Sequence, residues 1–349
     1  MHSLKDARIA VIGGGAFGLA TALAAARRGA GVRVYDPEPT GRSASAIAAG
    51  MLGAAFEALE SGCDSRLFAI LRAGLAAWGQ ESAEAIDRSG AIYASLGDDA
   101  GLAAVAAALD SLGIAYEALT ARAASALQPA LSPRVSAALH VPVEGRVDPA
   151  SRLPAMAQAL RELGGRIVAE AAPVGAAFER WRRAEADAVV IAAGHASTAW
   201  ADQAPVLGRL EPVKGHILHF AGGPRTGPVV RNGEDYVAPQ PRGAVFGATM
   251  QPGAADVRLE PERVAALHAR AIEMIPGLAE VPFTAYAGVR AATADGLPLA
   301  GALGEGLFAA TGARRNGWLL APLVGETVVA ALAGEASPHS RAFDPLRFD

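Results

Sequence analysis

A glycine-rich turn between an apolar run and an alanine-rich run constrains the fold of this 349-residue chain most strongly. The apolar run, residues 8–12, has the length and composition of a buried strand. The alanine-rich run, residues 16–28, has those of a helix, and residues 32–35 form a second apolar strand pattern. The order strand, helix, strand predicts a right-handed βαβ unit at the start of the chain.

The glycines of this turn, Gly13, Gly15 and Gly18, have the G-x-G-x-x-G spacing of a dinucleotide-binding site. The first allows a tight turn, the second lets the backbone approach a pyrophosphate, and the third allows close packing of helix on strand. Ala16 begins the helix whose N-terminus would face the phosphate charge. Asp36 ends the second strand, where its carboxylate can accept a hydrogen bond from a ribose hydroxyl. The spacing alone does not distinguish FAD from NAD.

The segment that follows the βαβ unit suits the rest of such a ligand. Arg42 and Ser43 can donate hydrogen bonds to phosphate, and the small residues Ala49 and Gly50 would let the backbone approach a flat ring. A polar surface loop followed by an ordinary apolar segment is the alternative interpretation.

Two arginines in the last third of the chain stand beside glycines at predicted strand ends. Arg290 follows Gly288, and Arg315 lies between Gly312 and Gly317. A guanidinium can hold a carboxylate in a bidentate pair, and Tyr236 could add a hydroxyl donor. The arginines therefore predict a carboxylate-binding site, with surface salt bridges as the alternative.

Composition excludes several classes of protein. The net charge is −4, with no basic excess, so a nucleic-acid-binding protein is not expected. Cys63 is the sole cysteine, which rules out an internal disulfide, a CxxC pair and a cysteine zinc site, and no metal site is predicted. Residues 9–26 carry no charge, but the glycine run at residues 13–15 divides them and favours strand, turn and helix over a membrane span. We expect a cytoplasmic protein.

The pattern of apolar residues changes in the middle of the chain. Residues 64–88 have helical periodicity, whereas residues 212–250 consist of short apolar runs separated by glycine and proline turns. The second pattern is typical of an antiparallel sheet. Because βαβ patterns lie on both sides of it, the sequence predicts a mixed α/β (α+β) fold with two discontinuous domains.

Six segments resemble one known family, the D-amino-acid oxidase superfamily of FAD-dependent oxidoreductases. Within it, the sequence is most similar to glycine oxidase of the thiamine-biosynthesis type. The likeness runs over nearly the whole chain, and the segments that carry it are residues 48–54, 212–215, 236–239, 247–250, 287–290 and 315–322.

The resemblance implies non-covalent FAD in a Rossmann-like domain, covered by a smaller substrate domain built on an antiparallel sheet. Residues 1–78, 147–204 and 285–349 would form the FAD-binding domain, and residues 79–146 and 205–284 the substrate domain. Arg290, Arg315 and Tyr236 would bind and orient the substrate carboxylate, and Met51 would lie near the isoalloxazine. The implied cofactor-binding residues are Gly13, Gly15, Ala16, Gly18, Asp36, Pro37, Arg42, Ser43, Ala49, Gly50, Met51, Val174, Ala193, Gly194, Gly312, Ala313, Arg314, Arg315, Asn316, Gly317, Trp318 and Leu319.

The implied reaction is oxidative deamination of a small amino acid such as glycine, sarcosine or a D-amino acid. Hydride transfer to flavin N5 would give an imine and then an oxo acid, with dioxygen as the acceptor and hydrogen peroxide as a product. The alternatives are a dehydrogenase that passes electrons to a quinone or a partner protein, an NAD-dependent dehydrogenase, and a non-catalytic flavin-binding subunit. A possible homo-oligomer is left open.

The sequence departs from the glycine oxidase pattern at several positions near the expected site. Ala313 and Glu234 stand where that pattern has histidines, Arg314 stands at an aromatic position, and Ala291 replaces a proline. These departures bear on the identity of the substrate. The acid at Glu234 could favour a substrate with an additional cation, and the alternative is that it simply faces solvent.

Overall fold

The computed structural model describes residues 4–38, 43–79, 86–97 and 99–348. Arg42, predicted to contact phosphate, lies outside these ranges. The first half contains β1 Arg8–Ile12, α1 Ala16–Arg27, β2 Gly31–Tyr35, α2 Ala44–Ile47, β3 Met51–Leu52, α3 Ala54–Glu60, α4 Ser65–Trp78, β4 Ala91–Ser95, α5 Asp99–Ser111, β5 Glu117–Thr120, α6 Ala121–Leu127, β6 Ala137–Val141, β7 Gly145–Arg146 and α7 Pro149–Glu162.

The second half supplies the remaining strands of both main sheets and the C-terminal helices. Its elements are β8 Arg166–Val168, α8 Ala176–Glu185, β9 Ala188–Ile191, β10 Glu211–Phe220, β11 Val229–Asn232, β12 Asp235–Gln240, β13 Gly243–Gly247, β14 Gln251–Pro252, α9 Pro261–Met274, β15 Phe283–Ala292, β16 Leu299–Gly304, β17 Leu307–Thr311, α10 Ala321–Leu332 and α11 Ser340–Phe343.

The first sheet has six strands in the order β16-β17-β9-β1-β2-β8, and all neighbours except β16 and β17 are parallel. Its centre confirms the predicted βαβ unit, because α1 connects the parallel strands β1 and β2. Every residue of α1 from Ala16 to Ala26 is buried, since the helix lies between the sheet and α10. Small alanines permit this close packing.

The chain segment weighed as a membrane span is therefore a strand followed by a buried twelve-residue helix. Across the described ranges, no helix has both the length and the apolar character needed to cross a bilayer.

The second main sheet has nine strands and is largely antiparallel, as predicted from residues 212–250. Its path is β14-β10-β13-β12-β11-β4-β6-β5, and β15 pairs with β10 along ten residues. The parallel pair of β4 and β11 is the exception. Parallel and antiparallel sheets thus form separate layers, and the mixed α/β fold class is confirmed.

The helix predicted over residues 64–88 is too long. Helix α4 ends at Trp78 with Gly79 as its C-cap, and residues 80–85 lie outside the described ranges. Asp87 is not helical, because its backbone forms a bridge with Arg146 and its carboxylate binds the same guanidinium. A partner distant in the sequence overrides the local periodicity.

The five-segment division into domains remains a prediction. Strand β15 crosses its last boundary, because the strand begins at Phe283 and pairs with the antiparallel sheet up to Ala292. Arg290 accordingly belongs to that sheet, although the division places it in the last FAD-binding segment.

Candidate active site

The glycine turn has backbone conformations and close contacts that require glycine. Gly13 adopts φ +107°, and a Cβ added there would lie 2.5 Å from the carbonyl oxygen of Ala192. A Cβ on Gly18 would lie 1.9 Å from the carbonyl oxygen of Gly13. Strand β1 and helix α1 can therefore meet at this distance only when no side chain stands between them.

The polar groups around the turn fit the adenosine and pyrophosphate of a dinucleotide. Asp36 Oδ2 accepts a hydrogen bond from the Gly14 N–H at 2.7 Å, which fixes the carboxylate at the end of β2. Ser45 Oγ accepts one from the Ala16 N–H at 3.0 Å. The first turn of α1 carries no acidic residue, so the partial positive charge of its N-terminus is not cancelled locally.

Gly18→Ala tests this close approach. We expect FAD to bind more weakly and the free energy of unfolding to fall by about 1–3 kcal/mol, because the added methyl group overpacks the helix–strand contact. The measurements are flavin retention on gel filtration and the thermal midpoint. Gly277→Ala is the matched control, since Gly277 has no atom near its added Cβ and no positive φ. Equal flavin content and midpoint in both variants would contradict the assignment.

Residues 43–51 and 312–319 are two segments that lie against each other and that the sequence assigned to the flavin. Trp318 Nε1 donates to the carbonyl oxygen of Ser45 at 3.0 Å, which joins the two segments. Gly50 adopts φ +71°, and a Cβ there would lie 2.2 Å from the carbonyl oxygen of Val147. Asn316 Oδ1 is buried and accepts no hydrogen bond from any described residue. An unsatisfied buried oxygen beside glycine backbone fits a ligand with ring N–H groups, such as a flavin.

One cavity opens between these segments and the antiparallel sheet. It brings together the predicted residues Met51, Tyr236, Arg290 and Arg315, together with Glu234 at an exposed turn. The lining also includes Ala49, Gly50, Asn316 and Trp318 from the flavin-side segments, and three charged residues that sequence reasoning missed, namely Glu57, Glu60 and Arg231.

Arg290 presents its guanidinium to the cavity without an acidic partner. Its Nη1 donates to the Thr249 carbonyl oxygen at 3.4 Å and lies 3.4 Å from Met250 Sδ, and no described carboxylate is within ion-pair distance. Burial lowers the pKa of the guanidinium. A Cβ on Gly215 would lie 2.3 Å from Nη1, so this glycine makes room for the group. A half-buried cation with no counter-ion among the described residues is a strong candidate for binding an anionic ligand.

Tyr236 lies in β12 and lines the same cavity. Burial raises the pKa of its phenol, which keeps the hydroxyl protonated. The hydroxyl can therefore donate a hydrogen bond to a carboxylate bound at Arg290.

Four charged side chains form a closed ring of alternating charge in the cavity wall. Arg231 Nη2 donates to Glu57 Oε1 at 3.2 Å, and its Nη1 donates to Glu60 Oε1 at 3.1 Å. Arg315 pairs with the other two oxygens, through Nε to Glu57 Oε2 at 3.0 Å and through Nη1 to Glu60 Oε2. The side chains of Arg231 and Glu57 are 4% and 9% exposed. Burial, with repulsion from Glu57, raises the pKa of Glu60.

The ring restricts what Arg315 can do. Two of its three guanidinium nitrogens are engaged by glutamates, so Nη2 remains as the nitrogen without a glutamate partner. The predicted role of Arg315 in holding the substrate carboxylate stays a prediction, and the ring limits it to one remaining edge of the guanidinium.

Glu144 holds the N-terminus of the helix that carries the two glutamates of the ring. Its Oε1 accepts hydrogen bonds from the N–H groups of Ala55 (2.7 Å) and Phe56 (3.2 Å) at the start of α3, the helix that carries Glu57 and Glu60. Burial raises the pKa of this carboxyl to about 7 from its usual 4.5, against the opposing effects of Arg231 and the two N–H groups.

Glu144→Gln should change the pH dependence of stability. Because the folded-state pKa is raised, the native state binds more protons than the unfolded state between pH 4.5 and 7, and stability falls as pH rises through that window. Glutamine keeps an acceptor for both N–H groups and does not ionise. The variant should therefore gain roughly 2–3 kcal/mol relative to the parent between pH 5 and 8, measured by urea unfolding. A difference that is constant with pH would refute this.

The other predicted residues are distributed as follows. Gly194 adopts φ +58°, and its carbonyl oxygen accepts from Thr311 Oγ1 at 2.9 Å, which ties Ala193 and Gly194 to the strand before Gly312. Val174 is half exposed, and Arg314 is exposed with φ +47°. Cys63 lies in the turn between α3 and α4, outside residues 312–320. No group of three metal-ligating side chains occurs among the residues that the structure describes.

Only part of the charged ring could be predicted from the sequence. Glu57 and Glu60 are three residues apart on a helix, which indicates that they share a face. Nothing local connects them to Arg231, which lies more than 170 residues away in the chain.

A dinucleotide turn on a mainly parallel sheet, together with a cavity beside an antiparallel sheet, is the arrangement expected of a flavin-dependent oxidoreductase. Residues 8–331 match the family model DAO, described as FAD dependent oxidoreductase. The chain belongs to this family. FAD is accordingly its cofactor, and the NAD alternative is set aside.

Named relatives and solved structures agree with the family. The crystal structure of glycine oxidase from Geobacillus kaustophilus superposes with a TM-score of 0.83 and 26% identity, covering 99% of each chain. The curated sequence of glycine oxidase from that organism is 37% identical over 150 residues, which are 40% of this chain and 39% of that protein. Iminodiacetate oxidase from Chelativorans sp. BNC1 shares the fold, with a TM-score of 0.79 and 22% identity over 97% of this chain and 99% of that one.

A further relative belongs to a larger protein. The tRNA 5-methylaminomethyl-2-thiouridine biosynthesis bifunctional protein MnmC from Caulobacter sp. strain K31 is 35% identical over 170 residues, which are 47% of this chain and 28% of that protein. The matched stretches thus span about a quarter to two fifths of the curated relatives.

Proposed function

We propose that this chain oxidises the amino group of a small amino acid, or of its N-substituted derivative, with FAD as the oxidant. The observation that carries the proposal is the cation at Arg290, which has no acidic partner in the described part of the chain and shares a cavity with Tyr236 and the flavin-side residue Asn316. The similarity to glycine oxidases supports a substrate with an amino group next to a carboxylate.

The residues divide the work between binding and orientation. Arg290 would form charge-assisted hydrogen bonds to the carboxylate, and the Tyr236 hydroxyl would donate a further one. These contacts would present Cα–H toward the flavin-side wall at Gly50 and Met51. Bound FAD supplies the two-electron oxidant for the Cα–H bond and is regenerated by the electron acceptor. Apolar lining from Ile217 and Met51 would limit water at the reacting carbon.

The dinucleotide turn and the segments near Asn316 and Trp318 would hold the cofactor without a covalent bond. Dioxygen as acceptor, a cytoplasmic location and a homo-oligomeric state belong to the same proposal. The net charge of −4 argues against the tRNA-linked chemistry in the name of the MnmC relative, because nucleic-acid affinity depends on cationic contacts to phosphate.

Anaerobic reduction of the flavin by candidate substrates is the decisive experiment. The purified protein is expected to be yellow and to be bleached by at least one of glycine, sarcosine, proline or the D-amino acids. Peroxide release under air would support dioxygen as acceptor, whereas bleaching without peroxide would favour a quinone or a partner protein. Flavin that none of these compounds reduces would contradict the proposal and favour a non-catalytic subunit.

A further inference from the structure

The positive and negative formal charges in the lining of the substrate cavity are equal in number before a substrate binds. Among the described residues, its lining contains three acids and three bases and no lysine, aspartate or histidine. The six are Glu57, Glu60, Glu234, Arg231, Arg290 and Arg315. Their formal charges sum to zero.

Binding of the substrate changes this balance. The proposed function, on which this inference rests, assigns Arg290 to the substrate carboxylate. The reacting amine must be neutral when its Cα–H bond breaks, because its lone pair assists that step. With Arg290 neutralised, two arginines face three glutamates, and the occupied cavity carries a net charge of −1. In a partly desolvated cavity this charge attracts a further cation more strongly than it would in water.

Glu234 is the acid that remains without compensation. Glu57 and Glu60 are each held by both Arg231 and Arg315 in the ring. Glu234 lies in the exposed turn between β11 and β12, and no described residue forms an ion pair with it. The nearby cation Arg270 is already bound by Asp235, with Nε 2.7 Å from Oδ2.

We infer that the preferred substrates are small amino acids that carry a second, cationic group, which Glu234 recognises at the mouth of the cavity. An anionic extension would meet three glutamates, and the two arginines that remain in the lining, Arg231 and Arg315, are already paired with Glu57 and Glu60. A neutral extension would gain apolar contact alone. The selectivity therefore comes from attraction of the cation and from repulsion of the anion together.

A different use of the same net negative charge is the alternative, and the test separates the two uses. If it serves to hold the ammonium form of the reacting amine, it would act on every amino acid alike. A compound with a second cation would then have no advantage over its isostere.

Two isosteric series provide the probes. The first compares N-(2-aminoethyl)glycine, N-propylglycine and N-(2-carboxyethyl)glycine, and the second compares 2,4-diaminobutyrate, norvaline and glutamate in both enantiomers. The readout is the second-order rate constant for anaerobic reduction of the flavin in the holoenzyme, which is the limiting reduction rate divided by the substrate Kd. At low ionic strength we expect the cationic member of at least one series to exceed its neutral isostere by about tenfold or more, with the anionic member slowest. This ratio should shrink as salt is added.

Glu234→Gln tests the residue, and Glu280→Gln is its matched control, because Glu280 is an exposed glutamate outside the cavity. The cationic-to-neutral ratio should fall at least fivefold in the first variant and stay at the parental value in the second. Oxidation of neutral compounds with a ratio near one, or a ratio unaffected by Glu234→Gln, would overturn this inference and leave the proposed function standing. Failure of every compound to reduce the flavin would instead count against the proposed function itself.

Discussion

Replacing Arg290 with alanine should lower kcat/KM for the best carboxylate substrate by about 10²–10³-fold. The guanidinium is half-buried in the cavity wall and has no described carboxylate partner, so it is free to pair with the substrate. Its removal leaves the substrate carboxylate with the Tyr236 hydroxyl and the remaining edge of Arg315. Anaerobic stopped-flow reduction measures the effect as a function of substrate concentration.

Flavin content should not change in the Arg290→Ala protein, since Arg290 belongs to a strand of the antiparallel sheet and not to the dinucleotide turn. Arg225→Ala, which removes an exposed arginine outside the cavity, is the control. Arg290→Lys should recover a minor part of the loss, because a lysine keeps the charge but not the planar fork. An unchanged apparent affinity for the substrate in Arg290→Ala would disprove the assignment.

Arg231→Met should reduce the free energy of unfolding by about 3–5 kcal/mol. The substitution keeps an apolar side chain of similar length but leaves Glu57 and Glu60 with Arg315 alone. Both carboxylates are largely removed from water, so an uncompensated negative charge there is costly. Thermal or urea unfolding of the FAD-saturated protein measures the loss.

A second substitution shows whether charge or packing is responsible. Arg231→Met combined with Glu57→Gln leaves Glu60 and Arg315 as the charged pair of the ring, so its net charge is again zero. This double variant should regain at least half of the lost free energy of unfolding. Arg258→Met is the control, because Arg258 is 85% exposed and lies 3.9 Å from Asp256, so a change below about 0.5 kcal/mol is expected. Equal losses in the single and double variants would attribute the effect to packing.

The sequence was sufficient for the elements whose signals are local. The glycine turn, the strand before it and the helix after it follow from residues 8–28, and the structure confirms them within one residue at the helix end. The antiparallel sheet was predictable from the glycine and proline turns of residues 212–250, and the clustering of Met51, Tyr236, Arg290 and Arg315 in one cavity agrees with the family resemblance.

The features that the sequence did not reveal depend on contacts between distant segments. The ring joins a helix near residue 57, a strand at Arg231 and a loop at Arg315, and no periodicity encodes that encounter. The raised pKa of Glu144 depends on burial, which emerges only when β6, β7 and α3 pack together. Helix α4 was predicted too long because the partner of Asp87 is Arg146, 59 residues later.

The ring of ion pairs also affects how the two sheets can move relative to each other. Arg231 belongs to the antiparallel sheet and Arg315 to the loop that follows the parallel sheet, and both are attached to the same two glutamates of α3. Separating the two layers would pull apart at least two ion pairs at once, in a place where water is scarce. The ion pairs therefore join the two sheets at this point and oppose any hinge motion that would separate them.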